Sequence, residues 1–385
     1  MRSLWIRRPD ATKRPVDGLR ALSVLWVIEY HTLAFIGRPL RNDAVGAVLR
    51  VVNRGHLGVD AFFVLSGFLI AWLLMREHEA TGSIGLKTFY RRRAMRILPA
   101  YFVALAIHVL LIPRNRETAW ANLLFVNNFL PESRQCMSWT WSLAVEEQFY
   151  IVFPLALLIA LRISRPLALI VVGFAISAIV RMAIVERYGI HLPRPDHQSL
   201  FSNMLYNKPY ARFPQLLSGA FVAYLVGFTG TARKLQPYPA VTSVVSLGAL
   251  IAIVALSSVK QPVFRYGWPT AANFLYFSFA QVIFAVAVAA LLFVSLSGLA
   301  GGRMVSRLLS WRGFYPVSQL SYSAYLIHMI IIFVGIDLGV FPLARSEAAV
   351  FWYLLVIPVV TLIAAMPLYM LVEKPMMNLR ERQSS

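Results

Sequence analysis

The stretch AANFLYFSFAQVIFAVAVAALLFVSL, residues 271–296, contains no Asp, Glu, Lys or Arg. At about 1.5 Å rise per residue, a helix of that length exceeds the ~30 Å hydrocarbon core of a bilayer. The same reading recurs along the chain. Apolar segments of spanning length lie at 19–38, 57–75, 97–113, 141–161, 166–186, 212–229, 240–259, 271–296, 317–337 and 349–372. They predict an all-α, polytopic integral membrane protein with about ten transmembrane helices. Composition agrees: 58% hydrophobic residues, 14% charged residues and a mean hydropathy of +0.64 exclude an ordinary water-soluble domain.

Lys and Arg set the expected orientation. With the N-terminus inside, the inner segments carry 21 of them and the outer loops 14, leaving out Arg20 and Arg181, which sit at or within spans. This predicts that both termini are cytoplasmic. A net charge of +20 raises the question of nucleic acid. The basic residues are dispersed over short loops with no soluble basic domain, so nucleic acid is not an expected partner. The first span carries charges and lacks a small-residue cleavage pattern, so it reads as a signal anchor. The single cysteine, Cys136, has no partner for an intramolecular disulfide and no metal-ligand spacing with any His, and no metal is expected. Without repeats, low-complexity runs or a long Gly/Ser linker, the chain reads as one membrane domain, 17–375. A basic segment, 1–16, precedes it and a short tail, 376–385, follows. The longest outer loop is 187–211, and WANLLFVNNFL, 120–130, suggests a short interfacial helix.

Charged residues inside the apolar segments carry the functional signal. In DGLRALSVLWVIEYH, 17–31, Arg20 and His31 are eleven residues apart, which returns to within ~20° of one helix face and separates them by about 16 Å. An Arg at the inner mouth and a His above it suit a ligand with its anionic end inward and its reactive end outward. The alternative is a snorkelling Arg and a packed His. An intramembrane His is costly, which favours function. Glu29 falls about 200° from His31 and reads as a structural partner, with Arg181 as the candidate cation. In GVDAFFVLSGFLI, 58–70, Asp60 sits near the outer surface, where it either orients the imidazole or caps its helix; both readings stay open. Ser66 and Gly67 lack a GxSxG context and read as packing residues.

In RRRAMRILPAY, 91–101, Arg92 and Arg93 lie four and three residues before Arg96 and form a cationic ridge able to grip phosphates. Alone it favours a topology signal. Joined with Arg20 it becomes a phosphate-binding floor. WTWSLAVEEQFY, 139–150, places two glutamates inside a span, at up to about 2.5 to 3.5 kcal/mol each at a helix centre. Ser142, Glu146 and Tyr150 recur at i, i+4 and i+8, a polar stripe expected to meet His31 and Asp60. Pairing of one glutamate with an Arg is the structural alternative.

Taken together, Arg-x10-His from Arg20 to His31, GVDAFFVLSGFLI, RRRAMRILPAY, WSLAVEEQFY, SYSAYLIH at 321–328 and VEKP at 372–375 resemble the motifs of the membrane-bound acyltransferase-3 family in order and spacing. The resemblance covers essentially the whole chain. It implies transfer of an acyl group, usually acetyl, from cytoplasmic acetyl-CoA or another acyl-CoA to a hydroxyl of an extracytoplasmic or lipid-linked carbohydrate, in a multi-pass protein of the bacterial inner membrane. His31 would be the catalytic histidine, Glu146 the acid of the fourth span, and Arg20, Arg92, Arg93 and Arg96 the contacts to the CoA phosphates. Asp60 or Glu146 would hold the imidazole tautomer. Many relatives carry a C-terminal hydrolase-like domain that this sequence does not show, so the membrane domain is expected to complete the transfer. Two rival readings are acylation of a small secondary metabolite such as a macrolide, and a proton-coupled exporter with His31 and Glu146 as a relay.

Overall fold

A computed structural model describes residues 14–37, 43–193, 195–258 and 269–382. Most of the expected basic segment (1–13) and the end of the tail (383–385) lie outside the described residues. Among the described residues all regular structure is helical. The first half comprises α1 (Arg14–Ile36), α2 (Asp43–Val52), α3 (Leu57–Thr81), α4 (Leu86–Leu111), α5 (Ala119–Leu123), α6 (Trp141–Arg162), α7 (Pro166–Arg187) and α8 (His197–Leu200). The second comprises α9 (Pro209–Phe228), α10 (Thr231–Leu235), α11 (Pro239–Ser258), α12 (Thr270–Leu296), α13 (Arg303–Leu309), α14 (Phe314–Asp337), α15 (Glu347–Leu368) and α16 (Lys374–Arg382).

Nine helical segments among the described residues are long and apolar enough to cross a membrane, the last running from Glu347 to Leu379. The chain is thus a polytopic all-α membrane protein. The tenth expected span is α9, a 20-residue helix not among the nine. Its first turns carry Arg212, Pro214 and Gln215, which lower its apolarity. Leu110, Ile159, Val171, Val244 and Leu355 are each more than half exposed. A surface of that kind belongs in lipid rather than water.

The chain divides into two compact units. Among the described residues, the first holds those within 14–23, 57–84 and 149–318. Its most extensive helix contact is between α3 and α9. A Cβ on Gly67 would lie 1.8 Å from the Leu216 carbonyl oxygen, and one on Gly219 1.9 Å from that of Val64, so the two backbones touch where only glycine fits. The reading of Gly67 as a packing residue is therefore borne out, while Ser66 hydrogen-bonds the Tyr150 hydroxyl.

Among the described residues, the second unit holds those within 24–56, 85–148 and 319–382. Here Ser346 caps α15, its hydroxyl accepting from the Ala349 N–H at 3.2 Å. Between α15 and α16 a π-helical turn, Tyr369–Glu373, buries Glu373, which accepts a 2.7 Å hydrogen bond from Ser323 on α14. The expected interfacial helix is α5, which exposes Trp120 and Leu123 and buries Asn122. Just beyond it Phe125 adopts φ 54°, a conformation rare for an aromatic residue. Stacking on Tyr101 at 4.6 Å and a 2.9 Å bond from Gln148 to its carbonyl hold it there.

Candidate functional site

In the second unit, His31 meets a histidine of another motif. On α1 its Nδ1 lies 3.0 Å from the Val27 carbonyl one turn earlier. The same atom lies 3.2 Å from Nε2 of His328 on α14, with ring centroids 4.9 Å apart. His328 is fully buried, and its Nδ1 lies 2.7 Å from the Tyr325 carbonyl. His31 as a residue is half-buried. Among the described residues, no protein group hydrogen-bonds its Nε2.

The segment before α6 braces the same turn of α14. Trp139 Nε1 donates to the Leu326 carbonyl at 3.2 Å, and the Tyr325 hydroxyl donates to the Trp139 carbonyl at 2.6 Å. With the Tyr325 proton so used, Ser142 is the donor in its 2.6 Å contact with that hydroxyl. Glu146 and Glu147 are half-buried on α6, and the charge of Arg93 on α4 reaches Glu147. On α14 the Tyr322 hydroxyl donates to the Ile97 carbonyl at 2.9 Å. Arg92, Arg93 and Arg96 are half-buried on the first turns of α4, and Arg91 is exposed. Arg20 is half-buried on the part of α1 that belongs to the first unit.

The structure gives several of the expected residues partners of their own. One is Asp60. It lies in the first unit, buried, and its Oδ1 accepts from Arg212 at 2.8 Å and Gln215 at 3.0 Å. A buried carboxylate bonded to a cation in this way ties α3 to α9. Arg181 does not pair with Glu29. Its guanidinium donates to the carbonyls of Ser278 and Ala211 at 2.7 Å each and Phe277 at 3.0 Å. In the stripe of Ser142, Glu146 and Tyr150, Ser142 meets Tyr325 and Tyr150 meets Ser66.

His328, Tyr325 and Trp139 are absent from the site residues expected from sequence, although two conspicuous motifs contain them. The available signal is a histidine inside an apolar span, the same signal that singles out His31. Among the described residues no group of three or more His, Cys, Asp or Glu could hold a metal ion.

A helical membrane protein with a paired-histidine centre and a row of arginines on one helix is the class these features define. The sequence model of the acyltransferase-3 family, described as an acyltransferase domain, matches residues 15–370, and the chain belongs to that family. It is 30% identical to the peptidoglycan O-acetyltransferase OatA of Listeria monocytogenes over 82% of this chain and 49% of that protein. It is also 28% identical to the nose resistant to fluoxetine protein 6 of Caenorhabditis elegans, over 86% of this chain and 46% of that one. A putative O-acetyltransferase of Staphylococcus aureus is 33% identical over 54% of this chain and 34% of its own length. The chain therefore spans about half or less of the length of these curated relatives. No solved structure matches it.

Proposed function

We propose that this chain is an O-acyltransferase that moves an acyl group, acetyl in the simplest case, from cytoplasmic acyl-CoA to a hydroxyl of an extracytoplasmic or lipid-linked carbohydrate in a bacterial inner membrane. The observation that carries the reading is the state of His31: with Nδ1 engaged on both sides, Nε2 is the ring atom left for chemistry. As the acceptor oxygen attacks the thioester carbonyl, Nε2 takes its proton. The tetrahedral intermediate then expels the CoA sulfur, which receives that proton from the imidazolium. Acceptor hydroxyl and acyl-CoA thus become ester and free CoA, and the histidine returns to its starting state. Arg20, Arg92, Arg93 and Arg96 would bind the CoA phosphates through charge-assisted hydrogen bonds. Family membership and the O-acetyltransferase names of two relatives support the reaction class, and the peptidoglycan named for one of them supports a carbohydrate acceptor.

The test is CoA release by purified protein in detergent, with acetyl-CoA and a panel of carbohydrate acceptors. His31→Ala is expected to lose at least about 100-fold in turnover, the scale of a missing general base, while acetyl-CoA binding stays within ~2-fold. Activity within a few-fold of wild type would remove His31 from the chemistry. An absence of turnover by the wild type across the panel would favour transport.

A further inference from the structure

We infer that His328 is a positioning residue for His31: the lone pair on its Nε2 accepts the Nδ1–H of His31, aims the ring and steadies the imidazolium formed during transfer. The inference rests on the reading of His31 as the base.

The proton positions follow from what each neighbour can do. Nδ1 of His328 faces the Tyr325 carbonyl at 2.7 Å, and a carbonyl oxygen only accepts, so that nitrogen carries a hydrogen. In the neutral ring, Nε2 is then a lone pair, and it lies 3.2 Å from Nδ1 of His31. Two lone pairs do not hold each other at that distance, so Nδ1 of His31 is the donor. The Val27 carbonyl, 3.0 Å from the same Nδ1, makes the same demand independently. One hydrogen shared between Val27 and His328 satisfies both contacts and leaves Nε2 of His31 unprotonated, as a base requires. A second proton on His328 would set two N–H groups against each other.

Val27 alone would select the same tautomer but would not place the ring. It sits one turn back on α1, whereas His328 stands on α14 and ties the imidazole to a second helix. The turn that carries His328 is itself anchored by Trp139 and Ser142. In hydrolytic triads a carboxylate fills this place. A neutral imidazole does so without putting a further charge into a membrane span.

Two variants separate positioning from structure. His328→Asn keeps a side-chain N–H for the Tyr325 carbonyl but is too short to reach His31, whereas His328→Gln carries an amide oxygen to the place of Nε2. Turnover of acetyl-CoA is measured for both beside His31→Ala, with the acceptor that the wild type uses, along with the KM for acetyl-CoA and thermal stability. The expectation is about a 100-fold fall in kcat for Asn with KM within ~2-fold, and recovery to within about 10-fold of wild type for Gln. Wild-type activity in the Asn variant, or equal losses in Asn and Gln, would overturn the inference. If Asn cannot be purified, a Gln variant as inactive as His31→Ala overturns it and a Gln variant near wild type sustains it. A fully active His31→Ala means that the reading of the base has failed; an inactive His31→Ala beside a fully active His328→Asn means that only this inference has.

Discussion

At the scale of single residues, the structure gives different surroundings to two acids that look alike in sequence. Asp60 is 1% exposed and bonded to Arg212 and Gln215, so removing its carboxylate strands a buried guanidinium. Asp60→Ala is expected to cost about 3–5 kcal/mol of stability, read as a fall in thermal midpoint in detergent, while the folded fraction keeps its turnover. A stable protein with lost turnover would return Asp60 to the chemistry. Glu146, by contrast, is half-buried on α6 in the unit that holds His31. The arginines of α4 make a different prediction. Arg92→Ala and Arg96→Ala should each weaken acetyl-CoA binding about 10- to 100-fold, the scale of one charge-assisted hydrogen bond, with the difference shrinking at high salt. Unchanged affinity by calorimetry would leave them as topology signals. Cys136 lies outside the spans, buried, and burial is the main reason its thiol is pushed up to about 11, with Glu117 adding to the rise and Arg116 opposing it. Because only the thiolate reacts, maleimide labelling of the native protein at about pH 8 should be far slower than after unfolding in SDS, and should accelerate as pH climbs toward about 11.

At the scale of elements, close helix contact in lipid depends on small residues, since apolar side chains gain little by leaving a hydrocarbon solvent. The α3–α9 crossing is built this way, with Gly67 against Leu216 and Gly219 against Val64. Adding one methyl at either glycine forces two backbones apart. Gly67→Ala and Gly219→Ala should each lower stability by about 1–3 kcal/mol, the cost of overpacking, visible as a lower thermal midpoint. Retained midpoints in both would mean that this crossing is loose. The π-helical turn at Tyr369–Glu373 is a second element whose geometry goes with a contact: it accompanies a buried Glu373 held by Ser323.

For the molecule as a whole, sidedness is the property to measure. Arg20 and His31 are separated by about 16 Å along one continuous helix, so a donor bound at the arginines must be long and flexible to reach the histidine. In proteoliposomes of defined orientation, acetyl-CoA is expected to act only from the face bearing the N-terminus, and an impermeant acceptor only from the opposite face. A requirement for both substrates on one face would overturn the through-membrane reading and point to a cytoplasmic acceptor. The membrane architecture itself is legible in the amino-acid sequence, because a span is a local rule: enough consecutive apolar residues, with backbone hydrogen bonds closed inside the segment. The Arg20–His31 register is legible for the same reason, since helical periodicity needs no tertiary contact. The count departs from ten only at α9, where Arg212 and Gln215 sit in an otherwise apolar helix because they serve Asp60. Who meets whom is not legible in this way. His328 stands 297 positions from His31, and Arg212 stands 152 from Asp60. Several acids and cations in this sequence are equally plausible partners by type. The choice among them is made when helices pack at glycine-sized contacts and each buried donor must find an acceptor, and only the folded chain brings those groups within hydrogen-bonding distance of one another.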